Sequence, residues 1–229
     1  MKDMKKQARI TGFLYLIVIV CAGFSQGAVR EVVYVVNDAT TTAQNILGNI
    51  TLFKWGLATD MIAFMTDIAI SVLLYQLLKP VNKTLAMVSS AFRLIAHPAI
   101  AGINLLNHFG ALRVLQSSGL AEQFSQAQLN EFSLMFMEMH HMGYLIAGAF
   151  FGIHCLLLGY LLFKSTSFPT IFGILLMAAA FGYLIESFGF PFFPELKTTF
   201  ALIVGMTAGI GEVSFCLYLM IKGVKKSHA

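Results

Sequence analysis

The chain has 229 residues, of which 58% are hydrophobic and 11% charged, against about 45–50% and about 25% in soluble domains. So few charges cannot cover a water-exposed surface of this size without leaving large bare apolar patches, which makes lipid the solvent for the outer surface. The net charge of +4 does not point to nucleic acid, because the basic residues gather at the ends of apolar runs, where anionic lipid head groups lie.

The first apolar run predicts a spanning helix over about residues 7–26, preceded by Lys2, Lys5, Lys6 and Arg9. A basic start followed by an apolar run and Ser25-Gln26-Gly27 also suits a secretory signal peptide; the segment is read here as a retained helix. Residues 27–52 are expected to form an extracytoplasmic loop, in which Asp38 and the threonines after it suit a turn and helix cap. A second helix is predicted over 53–78 and ends at Lys79-Pro80-Val81-Asn82-Lys83, a tight turn favoured by proline and asparagine. The third covers 84–115, where Pro98 should cause a kink and free the carbonyl of Leu94.

After a loop at 116–125, Ser125 and Gln128 stand at capping-box spacing, so a fourth helix begins near Gln126 and continues to 163. At ~1.5 Å per residue it is ~57 Å long, nearly twice a bilayer core, and must protrude, tilt or break, with Met142-Gly143 the weakest point. The fifth helix covers 169–190 with Pro169 in its first turn, where a missing N–H costs nothing. Pro191 and Pro194 belong to the outer turn at 191–196, and the sixth helix covers 197–221.

The fold class that follows is all-α: a polytopic transmembrane bundle of six helices forming one domain over residues 1–229. With six crossings, Lys2, Lys5, Lys6, Arg9, Lys79, Lys83, Lys164, Lys222, Lys225 and Lys226 fall on one side. An excess of lysine and arginine marks the cytoplasmic side, which places both termini there and the chain in the cell membrane. Cys21, Cys155 and Cys216 lie in apolar runs without C-x-x-C spacing and read as packing residues.

Five stretches in order carry a family resemblance: Ala8-Arg9-Ile10-Thr11-Gly12-Phe13-Leu14-Tyr15-Leu16-Ile17, Phe92-Arg93-Leu94-Ile95, Phe151 to Tyr160, Gly182 to Phe188, and Gly211-Glu212. Together they resemble the bacterial membrane family known as domain of unknown function 4386, over nearly the whole chain. The resemblance implies a multi-helix bacterial or archaeal membrane protein and supplies no activity. His97 and the His140-His141 pair fall outside its pattern.

Ionisable residues inside spans are costly, at roughly 2.5–3.5 kcal/mol on insertion scales, and normally face the bundle interior with a partner. Asp60, Asp67, Arg93, Glu138, Glu186 and Glu212 lie well inside the predicted helices, with His97, His108, His140, His141 and His154. Helical phase groups Arg93, His97, Asn104 and His108 within ~60°, and Asp60, Asp67 and Ser71 form a similar stripe. Glu186 shares a face with Ala179, Gly182 and Gly189, and Glu212 with Ala201, Gly205, Ala208 and Gly209, small residues that allow close helix approach.

Counting at ~1.5 Å per residue from the cytoplasmic ends gives two layers. The inner one holds Arg93, the only buried strong cation in this reading, against Asp67 and Glu212. It is a register-fixing ion cluster or an anchor for an anionic ligand. The outer one holds Asp60, Glu186, His108, Glu138, His140 and His141. His108, His140 or His141, and Glu138 are candidate zinc or iron ligands, with Asp60 a further possibility, because imidazole and carboxylate are ordinary donors for both. His140 with His108, and His154 with His97, are candidate axial pairs for haem. The remaining reading has these histidines bonded to Glu138, Glu186 or Asp60 at the interface.

No nucleophile motif, phosphate loop or ATP motif is present, so the sequence leans away from an enzyme and any transport is gradient-driven. The leading expectation is a ligand-binding or secondary-transport-like bundle for a small molecule, built on Asp60, Asp67, Arg93, His97, His154, Glu186 and Glu212. A metal or haem enzyme and an accessory or immunity-type protein acting through a partner protein are the alternatives.

Overall fold

The computed structural model describes residues 2–225. Lys226 and the side chain of Lys2, two of the basic groups counted above, lie outside that description. Among the described residues there are no strands and six helices long and apolar enough to cross a membrane. In chain order the elements are α1 (Asp3–Val33), a short α2 (Ala39–Gly48), α3 (Ile50–Leu78), α4 (Lys83–Leu115), a one-turn α5 (Ser118–Ala121), α6 (Gln126–Lys164), α7 (Thr170–Gly189) and α8 (Pro194–Ile221). The protein is an all-α, multi-pass membrane bundle.

Side-chain caps set the helix starts, since the first N–H groups of a helix have no partner within it. Asp38 Oδ1 accepts from Thr41 N at 2.8 Å, Asn82 Oδ1 from Leu85 N at 3.0 Å, and Ser125 and Gln128 form a reciprocal capping box. The chain enters α2 through Asn37 at φ +58°, a left-handed conformation that asparagine tolerates.

Two helices depart from simple α geometry. α1 contains a π-helical stretch at Phe24–Arg30 and α4 another at Ile95–Ala101, around Pro98. The missing N–H of Pro98 is thus absorbed by a widened turn rather than by a plain kink. α1 consequently runs on to Val33, past the end expected at Gln26, and the predicted outer loop contains α2. By contrast α6 continues through Met142-Gly143 without a break; its 39 residues make it ~58 Å long, so it protrudes from a bilayer core. Gly143 is a contact point instead, because a Cβ there would collide with the amide of Asn104.

Lipid gives apolar helices little reason to associate, so close backbone approach carries much of the packing. At the α6–α7 crossing a Cβ on Gly159 would stand 2.7 Å from the carbonyl oxygen of Gly173, and one on Gly173 2.6 Å from that of Gly159. α1 meets α8 in the same manner at Gly12, whose carbonyl accepts from Cys216 Sγ at 3.3 Å.

The start of α1, the end of α8 and two of the connecting turns meet at one face of the bundle. There Arg9 Nη2 donates to Ile221 O (2.8 Å), Gln7 Nε2 to Gln76 Oε1 (2.6 Å) and Lys225 N to Ser167 O (2.8 Å). Toward the opposite face α1 and α8 part, and a cavity opens between them.

Candidate functional site

Two carboxylates on one face of α3, Asp60 and Asp67, are fully buried, and each takes an arginine. Asp67 Oδ1 accepts from Arg93 Nε at 2.9 Å and Nη2 at 2.5 Å, while Oδ2 bonds His97 Nδ1. Arg93 Nη1 donates to the Tyr15 hydroxyl (3.0 Å) and stands 3.2 Å from His154 Nε2. His154 Nδ1 lies 2.8 Å from the carbonyl of Ser89, which can only accept. The proton therefore sits on Nδ1 and Nε2 is the acceptor for Arg93. The guanidinium lies between the rings of Tyr15 and Phe151, at 4.6 and 5.1 Å from their centroids, a cation–π arrangement strengthened by exclusion of water.

Glu212 does not touch Arg93. Its Oε2 accepts from the Tyr15 hydroxyl (3.1 Å) and its Oε1 from Tyr183 (2.7 Å). Tyr15 thus bridges the arginine and the glutamate, which are coupled through a hydroxyl rather than as a direct ion pair.

The second pair contains a residue that the sequence reading placed in a loop. Arg30 is buried, and Arg93 is therefore not the only buried strong cation. Arg30 Nη1 donates to Asp60 Oδ2 (2.6 Å), Nε to Gln26 Oε1 (2.8 Å) and Nη2 to the Tyr144 hydroxyl (3.2 Å). The reason is the π-helical stretch. Its turns carry more residues than α turns, so side chains beyond it leave the phase that the sequence alone would assign. The available signals were the i, i+4 spacing of Gln26 and Arg30 and the lack of a cation for Asp60.

Beyond these pairs lies a cavity of about 540 Å³, bounded by α1, α4, α6, α7 and α8. Arg93, His97 and Glu212 reach it at one end, and Arg30, Glu186 and Glu31 line it elsewhere. Most of its remaining wall is apolar or small. Ala201, Gly205, Ala208 and Gly209 of α8 belong to that wall, and a Cβ built on Gly205 or Gly209 meets nothing within 4 Å. At these two positions the small residues leave space open instead of drawing helices together.

The candidate metal ligands are only partly assembled. His108 stacks on Phe53 (centroids 3.9 Å) and its Nε2 lies 2.9 Å from Phe53 O; His140 Nδ1 is 3.2 Å from Asn104 O, and the two imidazoles stand 5.5 Å apart. Glu138 is exposed, and His141 packs against Phe190 beside the cavity. At 100° per residue Glu138 and His140 point ~160° apart on α6, which is why they do not converge. No group of three or more His, Cys, Asp or Glu among the described residues is placed to hold a metal ion, so these residues do not fit a zinc or iron site. His154 has both nitrogens engaged, so it does not fit as an axial haem ligand. Outside the spans, burial and the nearby Glu138 raise the Tyr34 phenol above its ordinary pKa, and Lys197 Nζ lies 5.3 Å from its ring centroid.

Six spanning helices, five of which bound a cavity reached by coupled charges, define a polytopic membrane bundle with an internal polar site. A model of the family "Domain of unknown function (DUF4386)" matches residues 10–223, and the chain belongs to that family. A protein of Archaeoglobus fulgidus, described as an "Uncharacterized protein", is 32% identical over 164 residues, covering 71% of this chain and 80% of its own length. No solved structure matches the chain.

Proposed function

We propose that this protein binds a small molecule inside the membrane, in the manner of a secondary transporter or membrane receptor, with the α1–α8 cavity as the binding site. The observation that carries this reading is the cavity of about 540 Å³ reached by Arg93, His97, Glu186 and Glu212. That volume is within the range of about 300–1,000 Å³ of small-molecule sites, and apolar walls with a few convergent polar groups are their usual lining. Ionisable groups at this depth are a functional feature by default. Two widened helical turns flank the site, and such turns are frequent at functional positions.

The same reading places the protein in the cell membrane with both termini cytoplasmic. Among the described residues, nine basic residues belong to the face where α1 begins and α8 ends, against Lys54, Arg113 and Lys197 toward the other, the asymmetry of the positive-inside rule. The cavity then lies toward the extracytoplasmic side.

One experiment tests both statements. In a variant with Cys21, Cys155 and Cys216 replaced by alanine, Ala208→Cys is expected to react in intact cells with a small membrane-impermeant thiol reagent, while Lys5→Cys reacts only after lysis. An Ala208→Cys variant inert even to the smallest reagents in purified protein sinks the binding reading. Reaction of Lys5→Cys in intact cells inverts the topology.

A further inference from the structure

The groups left without a counter-charge in the cavity are carboxyls, not cations. Every nitrogen of both guanidinium groups is engaged: Arg93 by Asp67, Tyr15 and His154, and Arg30 by Gln26, Asp60 and Tyr144. Each arginine is also balanced by its own buried aspartate. A carboxylate accepts about four hydrogen bonds, and Glu212 receives only those from Tyr15 and Tyr183. Glu31 and Glu186 line the same cavity, and neither belongs to an ion pair among the described residues. His141, whose Nε2 is buried without a partner, lines it too. An anionic ligand would meet guanidinium groups whose charge a buried aspartate already balances, whereas an N–H donor finds open carboxylate oxygens.

The way in is equally specific. α1 and α8 are locked together at Gly12 and Cys216, but farther along Gly23 and Gly27 on α1 and Gly205 and Gly209 on α8 are exposed, with open space where a Cβ would stand. The gap lies between two helices whose outer surfaces face lipid, so a molecule dissolved in the bilayer reaches the charged end past Val18, Ala22, Val204 and Ala208. Water-soluble ions without an apolar body gain nothing from such walls.

We propose that the cavity selects a small protonated amine with an apolar body, which enters from the bilayer between α1 and α8 and donates its N–H groups to Glu212. This rests on the binding reading above and narrows it to a ligand class.

The test uses three probes of one skeleton that differ in charge: phenylbutylamine, phenylbutanol and phenylbutyrate. Each is titrated against the full-length protein in lipid nanodiscs at neutral pH, with radiolabelled saturation binding and the thermal midpoint as readouts. Phenylbutylamine is expected to bind saturably and about tenfold or more tighter than the alcohol, as a charge-assisted hydrogen bond implies, while phenylbutyrate does not bind. Glu212→Gln, which keeps a side-chain acceptor for one of the two tyrosines and removes the carboxylate charge, should weaken amine binding about tenfold or more. Gly209→Leu projects into open space and leaves the helix packing intact; it should abolish amine binding without lowering the thermal midpoint.

Preference for phenylbutyrate overturns the amine assignment and leaves the cavity as a binding site. Amine binding unchanged in both Glu212→Gln and Gly209→Leu also overturns it, by placing the amine elsewhere. If none of the three probes binds while Ala208→Cys is reactive, the ligand class is wrong and the binding reading stands; an inert Ala208→Cys sinks the binding reading itself.

Discussion

Asp67 and Asp60 stand two turns apart on one face of α3 and each holds a buried arginine, yet the two pairs are built differently. Arg93 gives Nε and Nη2 to one oxygen of Asp67, His97 takes the other oxygen, and Tyr15 and His154 take Nη1. Two aromatic rings cover the guanidinium. Arg30 reaches Asp60 through one nitrogen, and Asp60 Oδ1 is buried without a partner, as are His108 Nδ1 and His140 Nε2 in the same region. The first pair acts as a staple between α3 and α4 with every guanidinium nitrogen and both carboxylate oxygens engaged. The second, held by the π-helical end of α1 at the edge of the cavity, keeps unsatisfied groups that a conformational change or water can engage.

The largest expected effect separates the two pairs directly. Arg93→Ala strands Asp67, and His97 is the one side-chain partner left to it. Removing one member of a buried pair costs about 3–5 kcal/mol. Arg30→Ala opens the cavity toward Asp60 and lets water solvate it, so its cost should be nearer about 1–3 kcal/mol. Denaturant unfolding in matched nanodiscs measures both. Equal losses would show that the outer pair is as much a staple as the inner one.

A smaller pair of substitutions sharpens the same contrast. The Tyr15 hydroxyl accepts from Arg93 and donates to Glu212, so Tyr15→Phe breaks two bonds to ionisable groups and should cost about 1.5–3 kcal/mol. The Tyr144 hydroxyl meets Arg30 at the longer distance of 3.2 Å, and Tyr144→Phe should cost about 0.5–1.5 kcal/mol. Unfolding curves for the two variants, recorded side by side, decide the order; a reversed order assigns the main coupling to the outer pair.

These differences were unevenly legible in the sequence. Apolar run length and flanking lysines mark all six spans, and Ser125 with Gln128 and Asp38 with Thr41 mark helix starts through short-range chemistry that survives into the fold. The closeness of Asp67 and Arg93 was also readable, because α3 up to Asp67 and α4 up to Leu94 keep simple helical phase. Arg30 was not, since a π-helical stretch rotates everything after it and no local pattern announces one without proline. The stripe at 201–209 was misleading for a different reason. Small residues say that little side chain is present, and the partner helix decides whether its backbone or empty space fills the difference: Gly182 faces Thr207, but Gly205 and Gly209 face the cavity. Glu138 and His140 share a short segment, yet their ~160° separation disqualifies them as joint ligands.

The mildest expected effect concerns how the outer pair is held. α2 packs over the end of α1, with Val29, Val33, Ile46 and Phe53 in one buried cluster, and Thr42 Oγ1 clamps the backbone of Val35. Asp38 caps α2, and its hydrogen bonds from the Thr41 side chain and backbone N–H hold its carboxyl below the usual carboxylate range. A lowered folded-state pKa means that the cap's contribution is fully present above the unfolded value of about 3.9 and is lost as pH falls through the folded value. Asp38→Ala should therefore speed amide hydrogen exchange in residues 39–48 and at the end of α1 near neutral pH, with the difference from the parent shrinking under acid conditions. Exchange around Asp67 and Arg93 should stay unchanged. If it rises as well, the two pairs are coupled along α3, and the outer one is part of the same staple.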